Sequence, residues 1–177
     1  MEQYFSPVHA SAESQLRNKP ANIIDSPQVA VLRHDNTVEG TYRFADALIR
    51  QLRYREAIEV YNILLSSYPA NYSLKRLRAS CYINTMQPRA AIRDLEFCLS
   101  TQTNDSDITF RIGLCHYFLA EYDRAKRYFE QCYSISNDFM GIASIFWHTM
   151  AAMREGTSPD LLRSVYQLGM DVGHHKR

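Results

Sequence analysis

Ala57, Ala91 and Ala125 recur with a 34-residue period, and a second small residue precedes each by twelve: Ala45, Ala79 and Gly113. A pattern that returns at a fixed period of this length makes the fold a stack of like units, none of which can bury its apolar face alone. Four residues after each alanine comes a large side chain, Tyr61, Leu95 or Phe129, one helical turn along the same face. Two helix axes can approach closely only where the side chains between them are small. Two small slots per unit, kept in register, therefore describe an antiparallel helix hairpin. Three such units align without a gap, at residues 38–71, 72–105 and 106–139.

Breakers and caps divide these units into helices. The first runs from a cap at Asn36 or Thr37 to about Leu52, and the second from about Tyr54 to Ser67, closed by Pro69. Further helices are predicted at about 71–85, 88–101, 106–119 and 122–135, followed by an apolar one over about 140–154. Ser158 as cap and Pro159 as first helical residue predict a last helix to about Met170. Residues 140–171 thus form a divergent capping hairpin. One period on, Trp147 takes the place of Gly113 and Pro159 that of Ala125, so this hairpin lacks the small slots. Residues 1–36, with Pro7, Pro20 and Pro27, read as an irregular arm with short helices near 10–18 and 27–34, set before a repeat domain over 37–177.

In period and pattern the chain resembles the tetratricopeptide repeat (TPR) family. In the third unit Ile112-Gly113, Tyr122, Ala125 and Phe129 match the family motif, and in the first Phe44-Ala45, Tyr54, Ala57, Tyr61 and Pro69 do so. The second matches at Ala79, Tyr82, Ala91 and Leu95, with Pro88 and Thr103 departing from it. Thr41, Lys75 and Thr109 replace the opening Trp. The resemblance implies an all-α fold, a right-handed superhelical solenoid of antiparallel helix hairpins. It also implies that the first helix of each hairpin lines a concave groove.

Composition narrows the function. The 20 Lys and Arg balance 19 Asp and Glu, without the basic excess that phosphate neutralisation demands of a nucleic-acid binder. No apolar run is long enough to span a bilayer. The Met1–Pro7 start has neither the basic nor the apolar character of a signal peptide, so a soluble cytoplasmic protein is expected. No phosphate-binding loop, zinc-protease helix or nucleophile elbow occurs, so neither an enzyme, a cofactor nor a metal is expected.

Cys81, Cys98, Cys115 and Cys132 are evenly spaced at half the repeat period. Zinc ligands come in close pairs. The half-period instead puts each cysteine at one recurring position, where it packs as a small apolar side chain. His116 falls where the family prefers an aromatic, which gives it a place in the core or at the groove edge. His174-His175 lies in a C-terminal tail. Lys75-Arg76-Leu77-Arg78 is a small basic cluster expected on a solvated face, with recognition of an acidic peptide as the alternative.

Under the resemblance the groove positions are Glu39, Tyr42, Asp46 and Arg50 in the first unit, and Ser73, Arg76, Ser80 and Asn84 in the second. In the third they are Asp107, Phe110, Leu114, Tyr117 and Phe118. The expected function is a non-catalytic interaction module or adaptor that holds a peptide segment. Phe110, Leu114 and Tyr117 would be apolar anchors, and Asp46, Arg50, Arg76 and Asn84 would give selectivity. The spacing equally suits an arrangement in which the fourth hairpin covers Phe110 and Leu114, or one in which Tyr117 and Phe118 serve the core. Members that clamp a C-terminal carboxylate use Lys and Asn where this chain has Tyr42 and Asp46. A small secretion-type chaperone is the alternative, and a homodimer through Phe146, Trp147 and Met150 of the terminal hairpin is a further expectation.

Overall fold

The computed structural model describes residues 37–136 and 139–157. The N-terminal arm, the helix expected at 159–170 and the histidine tail lie outside these residues. Among the described residues there are seven helices and no strand. They are α1 (Val38–Arg50), α2 (Tyr54–Ser67), α3 (Tyr72–Asn84), α4 (Pro88–Thr101), α5 (Ser106–Phe118), α6 (Tyr122–Ile135) and α7 (Phe139–Glu155). The chain divides into two compact units, Met1–Gln87 and Pro88–Arg177. In the first, α1 and α2 pair as a hairpin and α3 packs on α2; in the second, α4 packs on α5, α5 pairs with α6, and α7 packs on α6.

The repeat period governs local structure down to single bonds. Thr37, Asn71 and Asp105 cap α1, α3 and α5, each side chain accepting from a backbone N–H three residues on: Gly40 at 2.9 Å, Leu74 at 3.0 Å and Ile108 at 3.0 Å. Each cap satisfies a helix-start donor that would otherwise lack a partner. Where the first helix of a repeat ends, Leu52, Met86 and Ala120 take left-handed backbone angles, φ 58, 55 and 59. After each, the next N–H reaches back to the carbonyl five residues earlier: Arg53 to Leu48, Gln87 to Tyr82 and Glu121 to His116, at 2.8–2.9 Å. Together with the bond from the left-handed residue's own N–H, this is the Schellman closure of a helix.

Burial repeats fully from the first repeat to the third, while α3 of the second keeps half of the set, Leu74, Ala79 and Cys81. α1 buries Gly40, Thr41, Phe44, Ala45, Ala47 and Leu48. Moved on by two periods, these positions are Ile108, Thr109, Ile112, Gly113, Cys115 and His116, the buried set of α5. Along the second helices Ala57, Tyr61 and Leu64 become Ala91, Leu95 and Cys98, then Ala125, Phe129 and Cys132. The small slots are where the backbones cross. A Cβ at Gly113 would stand 2.7 Å from Cε1 and 2.9 Å from Cδ1 of the Phe129 ring.

All four cysteines are free thiols and buried, in the places their spacing predicts. Burial pushes the Cys81 thiol up to about 11 and that of Cys115 up to about 12. Because the folded state favours the protonated thiol, this contribution to stability is present below the unfolded thiol's pKa of about 8.5. It is lost as pH rises through the folded values. Native protein at pH 8 should therefore react slowly with a thiol-exchange reagent, and unfolded protein quickly. Four thiols that react as fast in the native state as in denaturant would contradict the packing.

α7 departs from the period. Shifted by one period, the buried set of α5 falls on Ile142, Ala143, Phe146, Trp147, Thr149 and Met150, none of which is buried. Shifted two positions further, four of the six fall on Ser144, His148, Ala151 and Ala152, all buried. The fourth unit thus slips by two positions, and Trp147 does not occupy the slot of Gly113 that the regular alignment assigned to it. Ahead of these, Gly141 sits 3.6 Å from the Ser136 Cβ, measured from where its own Cβ would be. α7 therefore lays a strip of small and polar residues on α6.

Candidate interaction face

On α1, Tyr42, Asp46 and Arg50 are exposed and share one face at a spacing of four. The Arg50 Nε–H donates to Asp46 Oδ2 at 2.9 Å, and one turn away Arg43 pairs with Glu39 at 3.0 Å. Beneath this face lies Tyr61 of α2, fully buried. Burial pushes its phenol well up, and the Cys81 thiol, Tyr42 and Asp46 add to the shift. A single buried side chain thus lies within electrostatic reach of both α1 and α3.

The corresponding residues of α3, one period on, are Arg76, Ser80 and Asn84. Arg76 and Ser80 are half-buried and Asn84 is exposed. The Ser80 hydroxyl donates to the Arg76 carbonyl at 3.3 Å, and the Asn84 amide donates to the Ser80 carbonyl at 2.9 Å. Lys75, Arg76, Leu77 and Arg78 are all half-buried. This corrects the expectation of a solvated basic face. Arg78 donates to the Asn62 side chain at 2.8 Å and lies 5.6 Å from the centre of the Tyr82 ring, so its charge is partly engaged within the fold.

In the second unit Phe110, Leu114 and Tyr117 are half-buried and pack on the core of Ala125, Phe129 and Ala151. Phe110 meets Phe129 at 5.7 Å between ring centres. Tyr117 sits edge-on to Trp147 at 5.1 Å and to Tyr122 at 5.6 Å. Of the arrangements the spacing allowed, the structure takes a packed one for these three side chains. They close the α5–α6–α7 core, and truncating any of them would weaken folding together with any binding. Phe118 remains exposed at the edge of this aromatic cluster, 6.5 Å from Trp147.

Two buried histidines each bond a glutamate, contacts the sequence did not reveal because the partners lie across a turn or on another helix. His116 Nδ1–H donates to Glu121 at 2.7 Å and its ring stacks on Tyr128 at 5.3 Å. This bond holds the Glu121 carboxyl below the usual range against the opposing effect of desolvation, with further help from Arg124 and Arg89. His148 Nε2–H donates to Glu130 at 3.0 Å, while Nδ1 is buried with no hydrogen-bond partner among the described residues. Lys126 of α6 pairs with Glu155 of α7. No group of three or more His, Cys, Asp or Glu gathers as a metal site among the described residues. No helix there is long and apolar enough to cross a membrane.

Sequence models of the tetratricopeptide repeat match residues 41–71 and 107–139. The chain carries tetratricopeptide repeats. Among curated proteins, DnaJ homolog subfamily C member 3 of Gallus gallus is 22% identical over 142 residues. That match covers 80% of this chain but only 28% of the relative's length. Among solved structures, a crystal structure of MamA superposes with a TM-score of 0.67 at 18% identity, covering 98% of both chains. The type III secretion chaperone SycD of Yersinia enterocolitica, solved with a peptide of the translocator YopD, gives a TM-score of 0.60 at 13% identity, over 68% of this chain and 96% of that one. These likenesses establish an all-α TPR-like fold, the architecture the repeat period implies.

Proposed function

We propose that the chain is a non-catalytic interaction module that holds a peptide segment of another protein against the first helices of its repeats. The observation that carries this is the α1 face, where Tyr42, Asp46 and Arg50 are exposed above a fully buried Tyr61. These side chains contribute little to the core, yet they hold one ordered row on a rigid helix. Tyr42 supplies a rigid aromatic anchor of the kind that dominates interface energies. The Asp46–Arg50 pair offers one acceptor and one donor to a passing backbone. Arg76, Ser80 and Asn84 extend the row to the next repeat of the same unit. That a protein of this fold can hold a peptide is seen in SycD, solved with a peptide of YopD.

This reading moves the anchor from the third repeat, where Phe110, Leu114 and Tyr117 are occupied by packing, to the first. A secretion-type chaperone is the alternative, and likeness to SycD at 13% identity supports its fold alone. The test is to recover a partner with the intact chain, map the bound segment, and measure its Kd against Tyr42→Ala and Asn84→Ala. Tyr42→Ala should weaken binding by about 1–3 kcal/mol and leave the helical circular-dichroism spectrum unchanged, because Tyr42 is exposed and lies outside the buried core. Unchanged affinity in both variants would rule out this face as the binding site.

A further inference from the structure

We infer that the outer face of α7 is a symmetric interface for a second copy of this chain, with the two α7 helices antiparallel across a twofold axis through Phe146. α7 is built inside out. Its face on α6 carries Gly141, Ser144, His148, Ala151 and Ala152, small or polar and buried. Its opposite face carries Phe139, Ile142, Phe146 and Met153, which are 74%, 67%, 57% and 66% exposed. With Met150, half-buried, these residues fall within an arc of about 80° at 3.6 residues per turn. Large apolar side chains left in water along a whole helix mark a contact surface.

The pattern itself indicates which partner. Counted from Phe146, the apolar residues stand at −7, −4, 0, +4 and +7: Phe139, Ile142, Phe146, Met150 and Met153. Such a row reads the same in either direction, which is the self-complementarity an isologous twofold contact requires. Laid antiparallel on its own copy, it sets Phe146 against Phe146, Ile142 against Met150 and Phe139 against Met153. The three- and four-residue steps are those of a packed helix pair. No Asp, Glu, Lys or Arg lies between Phe139 and Met153, so pairing strands no charge in a dry interface. With Arg154 as its single basic residue, α7 lacks the row of Lys and Arg along the polar face that a lipid-binding helix carries. Trp147, edge-on to Phe146 at 5.6 Å and to Tyr117 at 5.1 Å, ties the centre of the row to the repeat core.

The intact chain should sediment at twice its 20.6 kDa. Phe146→Glu should return it to a monomer with an unchanged helical spectrum. Direction is tested by charge exchange. Phe139→Lys and Met153→Glu should each give monomers, while the double variant should regain the dimer, because each Lys then faces a Glu of the other copy. A parallel pair would set like charges together and stay apart. Phe146→Cys should form an intermolecular disulfide under mild oxidation, since the four native thiols are buried; this variant serves should Phe146→Glu fail to fold. A wild-type monomer at every concentration overturns the inference and leaves the face to the chain's own C-terminal residues or to a different protein. A dimer indifferent to Phe146→Glu, or a double variant that stays monomeric, overturns it as well.

Discussion

Shortening Phe129 to alanine will cost the fold about 3–5 kcal/mol, the usual loss for a large aromatic removed from a core that cannot collapse around the gap. The ring is fully buried. It fills the space above Gly113 on one side and meets Phe110 at 5.7 Å on the other. Both neighbours lie on α5, whose backbone can fill the gap only by shifting as a whole against α6. Urea denaturation followed by circular dichroism gives the loss directly, and a drop below about 1 kcal/mol would show that the site relaxes. A coupled change isolates the close crossing. Gly113→Ala alone should destabilise by about 1–3 kcal/mol through overpacking, because its Cβ would stand 2.7 Å from the Phe129 ring. In the Phe129→Ala background the same Gly113→Ala change meets no ring. It should then be neutral, or favourable by about 0.5–1 kcal/mol from helix propensity. Simple additivity of the two changes would refute the contact.

Glycine at Leu52, Met86 and Ala120 should have the opposite effect. A left-handed backbone costs a residue with a Cβ about 1–2 kcal/mol, and glycine adopts it freely. Greater freedom in the unfolded chain returns part of that gain, leaving about 0.5–1 kcal/mol per site. Nothing is lost in packing, since Leu52 and Met86 are 71% and 65% exposed and Ala120 is exposed as well. The three turns lie in successive repeats and share no partner, so the gains should add to about 2 kcal/mol. In a domain of this size that raises the thermal midpoint by about 4–8 °C. A triple variant that melts at or below the wild-type temperature would mean that these turns carry no backbone strain.

The strained turns show where sequence reasoning stopped. Leu, Met and Ala share no turn chemistry, so nothing in the residue types marks positions 52, 86 and 120; only their common register does. The His116–Glu121 and His148–Glu130 bonds were hidden for a similar reason. A pair five positions apart across a turn, or eighteen apart on neighbouring helices, has no local signature, and packing alone brings it within 3.0 Å. Phe110, Leu114 and Tyr117 are instructive in another way. Helical spacing put them on one face but was silent on whether α7 would cover that face.

By itself the sequence determined the repeat. The small slots, the caps, the half-period cysteines and the helix limits all follow from one recurring pattern, because each depends on contacts within one hairpin or between neighbours at fixed spacing. What the tertiary structure decided begins at α7. Its burial runs two positions out of register, so the helix seats its small residues on α6 and turns its large ones outward. A two-residue slip rotates a helix by about 160°, given about 100° per residue less the full turns. Hydrophobicity alone could not foresee that rotation, since both faces of α7 are free of charge, and only close packing against Phe129, Tyr133 and Ser136 selects the face that is buried.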